Sequence, residues 1–270
     1  MAMTNQKPVA LVVGASRGIG RQVAIDFAAN GYAVVVAAKS HSNDSDQTAP
    51  FPPDPTSNAS TISTVEREIR SAGGDATAIP VDVTDLHSVE RLVAQTVEKY
   101  RSLDVLVYNP GAIWWASVDD TPTKRYQLMQ RVNAEGLYGT VQAALPHLKR
   151  SRKGGRIIVV SPPIYSRFFR GKTAYAMTKV AMSVLTKGLA MDFQRQGLNH
   201  MAISSIWPAV VKPPFPPFPQ TTNLSPRPSP SNLPPPPNSH AKTPPSPTTS
   251  EPPQSFQMPS SPCSGPRHPT

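Results

Sequence analysis

A glycine-rich turn directly behind a short apolar run restricts the fold of this chain more than any other feature. Val9–Val13 is continuously apolar, which is typical of a strand that is buried on both faces. A helical pattern of apolar residues follows the turn. Glycines at such a turn let the backbone approach a phosphate closely, and the helix N-terminus adds free N–H groups and a positive dipole end. We therefore predict a dinucleotide-binding turn formed by Gly14, Ser16, Arg17, Gly18, Ile19 and Gly20.

The rest of the chain, as far as residue 208, alternates between short apolar runs and amphipathic stretches of helical length. Further strands are predicted at residues 33–38, 76–80, 103–108, 156–161 and 201–207. Further helices are predicted at residues 61–71, 85–100, 121–148 and 173–196. Strands that alternate with helices in this way predict a doubly wound parallel sheet with helices on both faces.

Two segments differ from this pattern in composition. Residues 41–60 are rich in Ser, Asn, Asp and Pro, which predicts an insertion at the surface. Beyond Pro208 the chain is dominated by Pro, Ser, Thr and Asn, and it has too few apolar residues to offset the entropy of ordering. We therefore predict one dinucleotide-binding domain over residues 7–208 and a disordered proline-rich tail over residues 209–270.

The composition argues against several classes of function. The net charge is +10, but no nucleic-acid recognition module accompanies it, so we expect no nucleic-acid partner. The single cysteine, Cys263, lies in the tail, which excludes a disulfide within the chain and a cysteine-based metal site. No apolar stretch is long enough to span a membrane, and no targeting signal is evident. We expect a soluble intracellular protein, cytoplasmic by default, without a metal.

The end of the second predicted strand indicates which dinucleotide binds. A site for NAD places an acidic residue here, where it binds the ribose hydroxyls. The sequence has Ala37-Ala38-Lys39-Ser40 instead, with no carboxylate. Lys39 and Arg17 are suited to pair with a 2′-phosphate, so their combination favours NADP(H) over NAD(H).

Four further motifs resemble those of the short-chain dehydrogenases/reductases, in the same order and at similar separations. Asp82-Val83 follows the third strand, where that family contacts adenine. Asn109-Pro110-Gly111-Ala112 follows the fourth strand, like the family's Asn-Asn-Ala-Gly element. Asn133 lies in the long helix, and Tyr175-Ala176-Met177-Thr178-Lys179 matches the Tyr-x-x-x-Lys signature. The resemblance spans about residues 7–208 and implies a Rossmann-type fold with NADP(H) as the cofactor.

The resemblance also implies a role for each matching residue. Tyr175 would donate or accept the hydroxyl proton while the nicotinamide exchanges hydride with the carbon. Lys179, on the same helix face, would lower the pKa of Tyr175 and hold the nicotinamide ribose. Asn133 would position a water in a proton relay. The cofactor would contact Asp82, Val83, Asn109, Gly111, Tyr175, Lys179 and Pro208 in addition to the glycine turn and Lys39.

The family's catalytic serine has no match at its usual position. The family spacing places it 13 residues before Tyr175, where this chain has Pro162. The neighbouring Ser161 is our candidate for the group that hydrogen-bonds the reacting oxygen, because the following loop can shift the register. Ser166 is a more remote alternative.

Three other segments resemble one subgroup of the family and suggest a substrate class. They are Ser161-Pro162-Pro163, the helix start at 121–125, and Trp207-Pro208. The resemblance implies an apolar carbonyl or alcohol substrate. Trp114 and Trp115 follow the fourth strand, and they either line an apolar substrate pocket or pack under the loop. Relatives commonly pair through their long fifth and sixth helices, so a homo-oligomer is also expected.

The C-terminal quarter leaves alternatives to the enzymatic interpretation. Beyond Pro208 the family's lid and last strand are replaced by a proline-rich sequence, which cannot supply the ladder hydrogen bonds of a central strand. The leading interpretation is an NADP(H)-dependent oxidoreductase. The alternatives are a cofactor-binding protein with little or no turnover and an adaptor that binds partners through its tail.

Overall fold

The computed structural model describes residues 6–40, 60–162 and 169–208, and these ranges contain one six-stranded sheet. All neighbouring strands are parallel, in the order β3-β2-β1-β4-β5-β6. The strands are β1 Val9–Val13, β2 Ala33–Ala38, β3 Asp75–Pro80, β4 Val105–Tyr108, β5 Arg156–Val160 and β6 Ala202–Ile206. The predicted doubly wound, Rossmann-type sheet is confirmed.

Helices cover both faces of the sheet. One face packs against α1 Gly18–Ala29 and α2 Ile62–Ser71. The other packs against α3 Leu86–Tyr100, α5 Gly136–Leu148 and α6 Thr173–Arg195. A shorter helix, α4 Thr123–Met129, continues into α5 through a π-helical turn, Gln130–Glu135.

The two cores arise from the alternation of side chains along each strand. In β1, Leu11 and Val13 belong to the core under α3, α5 and α6, whereas Ala10 and Val12 belong to the core under α1 and α2. All of these side chains are fully buried. A strand that is buried on both faces must be apolar throughout, which explains the continuous run that identifies β1 in the sequence.

The predicted long helix at 121–148 differs from the structure in one informative respect. The helical stretch begins at Thr123, behind Pro122, and its hydrogen-bond pattern widens to π-helical over residues 130–135. Apolar periodicity predicted a helix over this stretch but carried no signal for the wider turn. Its position matters because Asn133 lies within it.

The topology determines where a ligand can bind. The strand order reverses between β1 and β4, so the chain leaves these two neighbouring strands toward opposite faces of the sheet. A crevice opens at the carboxyl ends of the strands where the order reverses, and open α/β sheets bind their ligands there. The glycine turn after β1 and the Asn109 loop after β4 both lie at this position.

Several expectations concern residues outside the described ranges. They are the insertion at 41–59, the alternative serine Ser166, Pro163, and the tail from residue 209 onward with Cys263. Within the described ranges, no helix has the length and apolar character that a membrane crossing requires. The same ranges hold no group of three or more His, Cys, Asp or Glu side chains arranged to bind a metal ion.

Candidate active site

The glycine turn adopts a conformation and a packing that only glycine tolerates. Gly14 and Gly18 have positive φ angles of +78° and +55°. The amide of Gly14 donates to the Ala37 carbonyl of β2 at 2.7 Å. At Gly20, an added Cβ would collide with the Gly14 carbonyl oxygen and would lie 2.7 Å from Nδ2 of Asn109. The turn is therefore compact because the helix start, β1 and the loop after β4 meet at Gly20.

The start of α1 leaves its backbone N–H groups available to an anion. The N-cap residue Arg17 makes no capping hydrogen bond with its side chain, and the first turn of the helix contains no acidic residue. Ile19 lies within this first turn, and Ser16 is 7% exposed just before it. Such a helix start, at the positive end of the helix dipole, suits the pyrophosphate of a dinucleotide.

A buried serine that no sequence motif identified hydrogen-bonds the backbone of the glycine turn. Ser60 is 1% exposed, and its hydroxyl donates to the carbonyl of Ser16 at 2.5 Å. It lies just before α2, where the chain rejoins the sheet after the predicted insertion. A serine at the edge of a Ser-rich segment carries no sequence signal for this contact.

The cationic side chains predicted to select NADP(H) converge beyond the end of β2. The Arg17 guanidinium donates to the Ser40 hydroxyl at 3.3 Å, so it reaches the residue next to Lys39. Lys39 itself forms an ion pair with Asp82, with 2.7 Å between Nζ and Oδ2, and 79% of the lysine side chain is exposed. Arg17 is therefore bonded to the residue after Lys39, and Lys39 joins the end of β2 to the end of β3.

Asp82 is held ionised by these contacts. The hydrogen bond from Lys39 is the main reason that its pKa falls to about 2, and the backbone and hydroxyl of Thr84 also donate to it. The neighbouring Val83 packs against the core beneath α3 and α5. The predicted adenine-contacting pair thus lies at the same edge of the sheet as the glycine turn.

The loop after β4 is bonded directly to the glycine turn. Nδ2 of Asn109 donates to the Gly14 carbonyl at 2.9 Å, and the Asn109 amide donates to Val13. Gly111 is exposed, and an added Cβ there would lie 3.8 Å from Oδ1 of Asn133. Pro208, the remaining predicted contact, is exposed beyond the end of β6, and no described contact joins it to the other site residues.

Asn133 holds the other end of that loop. Its Oδ1 accepts from the Ala112 amide at 2.8 Å, and its Nδ2 donates to the Ala112 carbonyl at 3.0 Å and to Oγ1 of Thr178 at 2.9 Å. Both amide hydrogens are therefore used, and only the second lone pair of Oδ1 remains for a water. The side chain is fully buried, so its first role is to position the loop against α6.

The π-helical turn that carries Asn133 is stabilised by a tyrosine at the end of β4. Tyr108, at the end of β4, donates from its hydroxyl to the Val132 carbonyl at 2.5 Å. An added Cβ on Gly136 would lie 2.6 Å from that hydroxyl, so the ring fits only because residue 136 is glycine. Burial raises the pKa of Tyr108 far above its usual range, which keeps the phenol a donor.

Tyr175 and Lys179, referred to below as the Tyr–Lys pair, lie on the first turns of α6. The Lys179 side chain is 6% exposed, and its Nζ donates to the Val160 carbonyl at the end of β5 at 2.9 Å. Burial lowers the pKa of Lys179 to about 8. The ammonium is therefore still the main form at neutral pH.

The expectation that Lys179 lowers the pKa of Tyr175 is wrong for this arrangement. Burial raises the pKa of Tyr175 to about 12, because removing the phenol from water disfavours the phenolate. The Lys179 ammonium is bonded to the Val160 carbonyl, and burial is the cause of the shift in the pKa of the phenol. Tyr175 is therefore a neutral phenol at physiological pH.

Thr178 is a second residue that the sequence motifs did not single out. It lies inside the Tyr-x-x-x-Lys signature and is fully buried. Its hydroxyl donates to the Tyr175 carbonyl at 2.8 Å and accepts from Asn133. Its position inside the motif was a signal that could have identified it.

The side chain of Ser161 is buried between the end of β5 and α6. The side chain is 2% exposed, and its hydroxyl lies 2.7 Å from the Ser183 hydroxyl and 3.5 Å from the Lys179 carbonyl. These contacts fix β5 to α6 in the interior. This buried position lends no support to the catalytic role predicted for Ser161, and that role stays a prediction.

The two tryptophans after β4 differ in their surroundings, and one of them meets Tyr175. The Trp115 ring is 51% exposed and meets the Tyr175 ring edge-on, with 6.5 Å between the ring centres. Nε1 of Trp114 is buried and has no hydrogen-bond partner among the described residues. Trp115 thus fits the first of the two predicted roles, the lining of a substrate site, and Trp114 packs more deeply.

Comparison with known proteins identifies the family and a subgroup. Residues 8–50 and 56–216 match the family model described as short chain dehydrogenase. Hydroxysteroid dehydrogenase-like protein 2 from Mus musculus is 38% identical over 199 residues, which are 73% of this chain and 37% of the mouse protein. This is the subgroup that the segments around Ser161, Thr121 and Trp207 resemble. The chain spans less than half the length of that relative.

Two solved structures share the fold. A putative dehydrogenase from Xanthomonas campestris is 36% identical, with a TM-score of 0.65, over 76% of this chain and 70% of that one. A metagenomic short-chain oxidoreductase, solved in complex with NADP, is 25% identical, with a TM-score of 0.61, over 75% of this chain and 82% of that one.

The glycine turn generates a direct test with a matched control. Gly20→Ala should weaken NADPH binding by roughly tenfold or more, because the new Cβ would force the Gly14 carbonyl and Asn109 apart. Gly188→Ala is the control, since no atom lies within 4 Å of its added Cβ and alanine favours a helix. NADPH fluorescence titration of both variants measures the effect. Unchanged affinity in Gly20→Ala would contradict the assignment of the turn.

Proposed function

Because the chain belongs to the short-chain dehydrogenase family, we propose that it is an oxidoreductase that uses NADP(H) to interconvert a carbonyl and an alcohol. The observation that carries this proposal is a continuous path of hydrogen bonds from the glycine turn to the helix of the Tyr–Lys pair. The loop that begins at Asn109 is bonded to the carbonyl of Gly14, and its Ala112 is bonded to Asn133. Asn133 is bonded in turn to Thr178 in α6. Cofactor turn and acid–base pair thus form one unit.

The cofactor site follows from the same unit. The glycines provide the cradle, since any side chain at Gly20 would fill it, and α1 presents its uncapped start. We assign the cofactor to Gly14, Ser16, Arg17, Gly18, Ile19, Gly20, Lys39, Asp82, Val83, Asn109, Gly111, Tyr175, Lys179 and Pro208.

We assign NADP(H) rather than NAD(H) from the charges beyond β2. Arg17, Lys39 and Ser40 are neighbours there, and the end of β2 has no carboxylate. Lys39 is paired with Asp82, but the lysine side chain is largely exposed, and surface ion pairs contribute only about 0–1 kcal/mol. A 2′-phosphate can therefore recruit Lys39 at little cost. The metagenomic relative in complex with NADP supports this choice.

The protein's own residues supply the proton and the positioning, while NADP(H), when bound, supplies or accepts the hydride. Tyr175 donates a proton to the substrate oxygen in the reductive direction, which suits a phenol whose pKa is about 12. Lys179 carries a positive charge next to this group and holds the nicotinamide ribose. Asn133 fixes the loop at Ala112 and offers its remaining lone pair to the relay water.

One observation favours a second candidate function. The Ser161 hydroxyl is buried against Ser183, and Pro162 offers neither a hydroxyl nor an N–H in its place. A substrate oxygen would then be held by Tyr175 with no second donor from β5. The alternative is therefore a protein that binds NADP(H) but turns over substrates slowly.

We also propose that two copies associate through α5 and α6. Met177, Val184 and Met191 are spaced by seven residues along α6 and are 55–64% exposed, and Tyr138 of α5 is 57% exposed. Large apolar side chains at this spacing form a stripe that water disfavours. Light scattering of the purified chain measures the mass of the particle, and a monomer would contradict the proposal.

The Tyr–Lys pair gives the test of turnover. Tyr175→Phe should lower the rate of NADPH oxidation with a panel of aldehydes and ketones by about 10²–10⁴-fold, because the proton donor is lost. NADPH affinity should stay within about threefold of the wild type, since the ring is retained. If no member of a broad panel is reduced by the wild type while NADPH binds tightly, the slow-turnover alternative replaces the enzymatic proposal.

The pKa of Lys179 predicts how cofactor binding depends on pH. The lysine is protonated below pH 8, and we propose that the bound state needs the ammonium. Binding above that pH must first restore the proton, so the dissociation constant for NADPH should rise by about tenfold per pH unit above 8. Lys179→Met should bind more weakly at pH 7 and lack this rise. A wild-type affinity for NADPH that stays constant up to pH 9.5 would contradict the role assigned to the Lys179 ammonium.

A further inference from the structure

Each of the two consecutive tryptophans after β4 carries a cation on its ring. The Arg125 guanidinium lies 4.7 Å from the centre of the Trp114 ring, and Nζ of Lys172 lies 4.9 Å from the centre of the Trp115 ring. We call these four residues the tryptophan wall. Arg125 belongs to the first turns of α4, and Lys172 is the N-cap residue of α6. Two separate helices thus each place a cation on one of these two consecutive indoles.

The wall borders the proposed reaction site. Trp115 is half exposed and meets the Tyr175 ring, so a ligand that reaches the phenol also covers this indole. Lys172 stands three residues before Tyr175, at the start of the same helix. A substrate whose reacting oxygen reaches Tyr175 would therefore also place another of its groups against Lys172 and the Trp115 ring.

The polar groups of the wall are all donors. Arg125 and Lys172 are cations without acceptor atoms, and the buried Nε1 of Trp114 is an indole N–H without a partner among the described residues. Arg125 forms no salt bridge within the described part of the chain. The acidic residues of this loop are Asp119 and Asp120, and Asp120 is bonded to Ser117. Among the described residues, the wall therefore combines the exposed ring of Trp115 with two cationic side chains.

From this arrangement we propose that the substrate carries an anionic group in addition to its carbonyl or alcohol. Its apolar part lies on Trp115, its anionic group is bound by Lys172 and Arg125, and its reacting oxygen faces Tyr175. The inference rests on the proposed oxidoreductase function and narrows its substrate class. A carboxylate and a phosphate monoester offer the same acceptor chemistry. Neutral and cationic compounds of the same apolar size are excluded as preferred substrates.

The test compares ligands that differ only in their end group. Isothermal titration calorimetry is run on the full chain saturated with NADP⁺, with octanoate, octyl phosphate, octanol and octylamine. Octanoate or octyl phosphate should bind at least about fivefold more tightly than octanol, and octylamine most weakly. Whichever of octanoate and octyl phosphate binds more tightly identifies the anionic group as a carboxylate or a phosphate. Raising the salt concentration should weaken the anions but not octanol.

Substitutions in the tryptophan wall test whether its charge or its packing sets the preference for the anion over octanol. Lys172→Met and Arg125→Met should each reduce the preference for the anion over octanol, whereas Arg125→Lys should retain it. Lys124→Met is the matched control, because Lys124 is the exposed neighbour of Arg125 in the same helix turn. Thermal unfolding of each variant reports whether it folds, and Arg125→Lys keeps the test valid if Arg125→Met does not.

The possible outcomes distinguish the two proposals. Failure of the wild type to bind NADP⁺ contradicts the proposed function itself, and this inference with it. Tight binding of NADP⁺ with equal affinities for octanoate, octyl phosphate and octanol overturns only the anionic substrate. The anionic substrate is likewise overturned if no octyl compound binds, or if the Met variants keep the wild-type preference.

Discussion

The loop that follows β4 is bonded at both of its ends, and the rest of the site depends on this constraint. At one end, the Asn109 side chain donates to the carbonyl of Gly14 in the glycine turn. At the other end, the amide and carbonyl of Ala112 are both bonded to Asn133. The loop therefore cannot move away from the glycine turn or from Asn133 without breaking buried hydrogen bonds. Each lost bond leaves an unsatisfied polar group, which costs about 1–3 kcal/mol.

This coupling explains why the π-helical turn is present. In a regular helix through residues 130–135, the Asn133 side chain would point in a different direction relative to Ala112 and Thr178. Within the wider turn, the Val132 carbonyl accepts a hydrogen bond from the Tyr108 hydroxyl. Tyr108, at the end of β4, therefore has a structural role that the sequence motifs do not indicate. Gly136 provides the space for it.

Burial controls the acid–base chemistry of the site. It raises the pKa of Tyr175 to about 12 and lowers that of Lys179 to about 8. Both shifts favour the uncharged forms, as expected where a low dielectric penalises charge. At neutral pH the pair nevertheless consists of a neutral phenol and an ammonium. This is the combination that a proton donor next to a developing alkoxide requires.

Much of the fold was predictable because its signals are local. The continuous apolar run at Val9–Val13 and the glycines behind it identified β1, the turn and the start of α1. The site was less predictable, because its details depend on contacts between distant residues. Nothing in the sequence near Ser161 indicates that its hydroxyl turns to Ser183, and nothing near Ser60 indicates its bond to the glycine turn. The pKa of Tyr175 could not be predicted because it depends on the three-dimensional burial of the ring.

The most direct test of the cofactor assignment is a titration of the purified full-length chain with NADPH and, separately, with NADH, followed by nucleotide fluorescence. We expect saturable binding with at least about a tenfold preference for NADPH, because the 2′-phosphate meets Arg17 and Lys39. Equal affinities would contradict the assignment of NADP(H). A folded sample that binds neither nucleotide would contradict the oxidoreductase function.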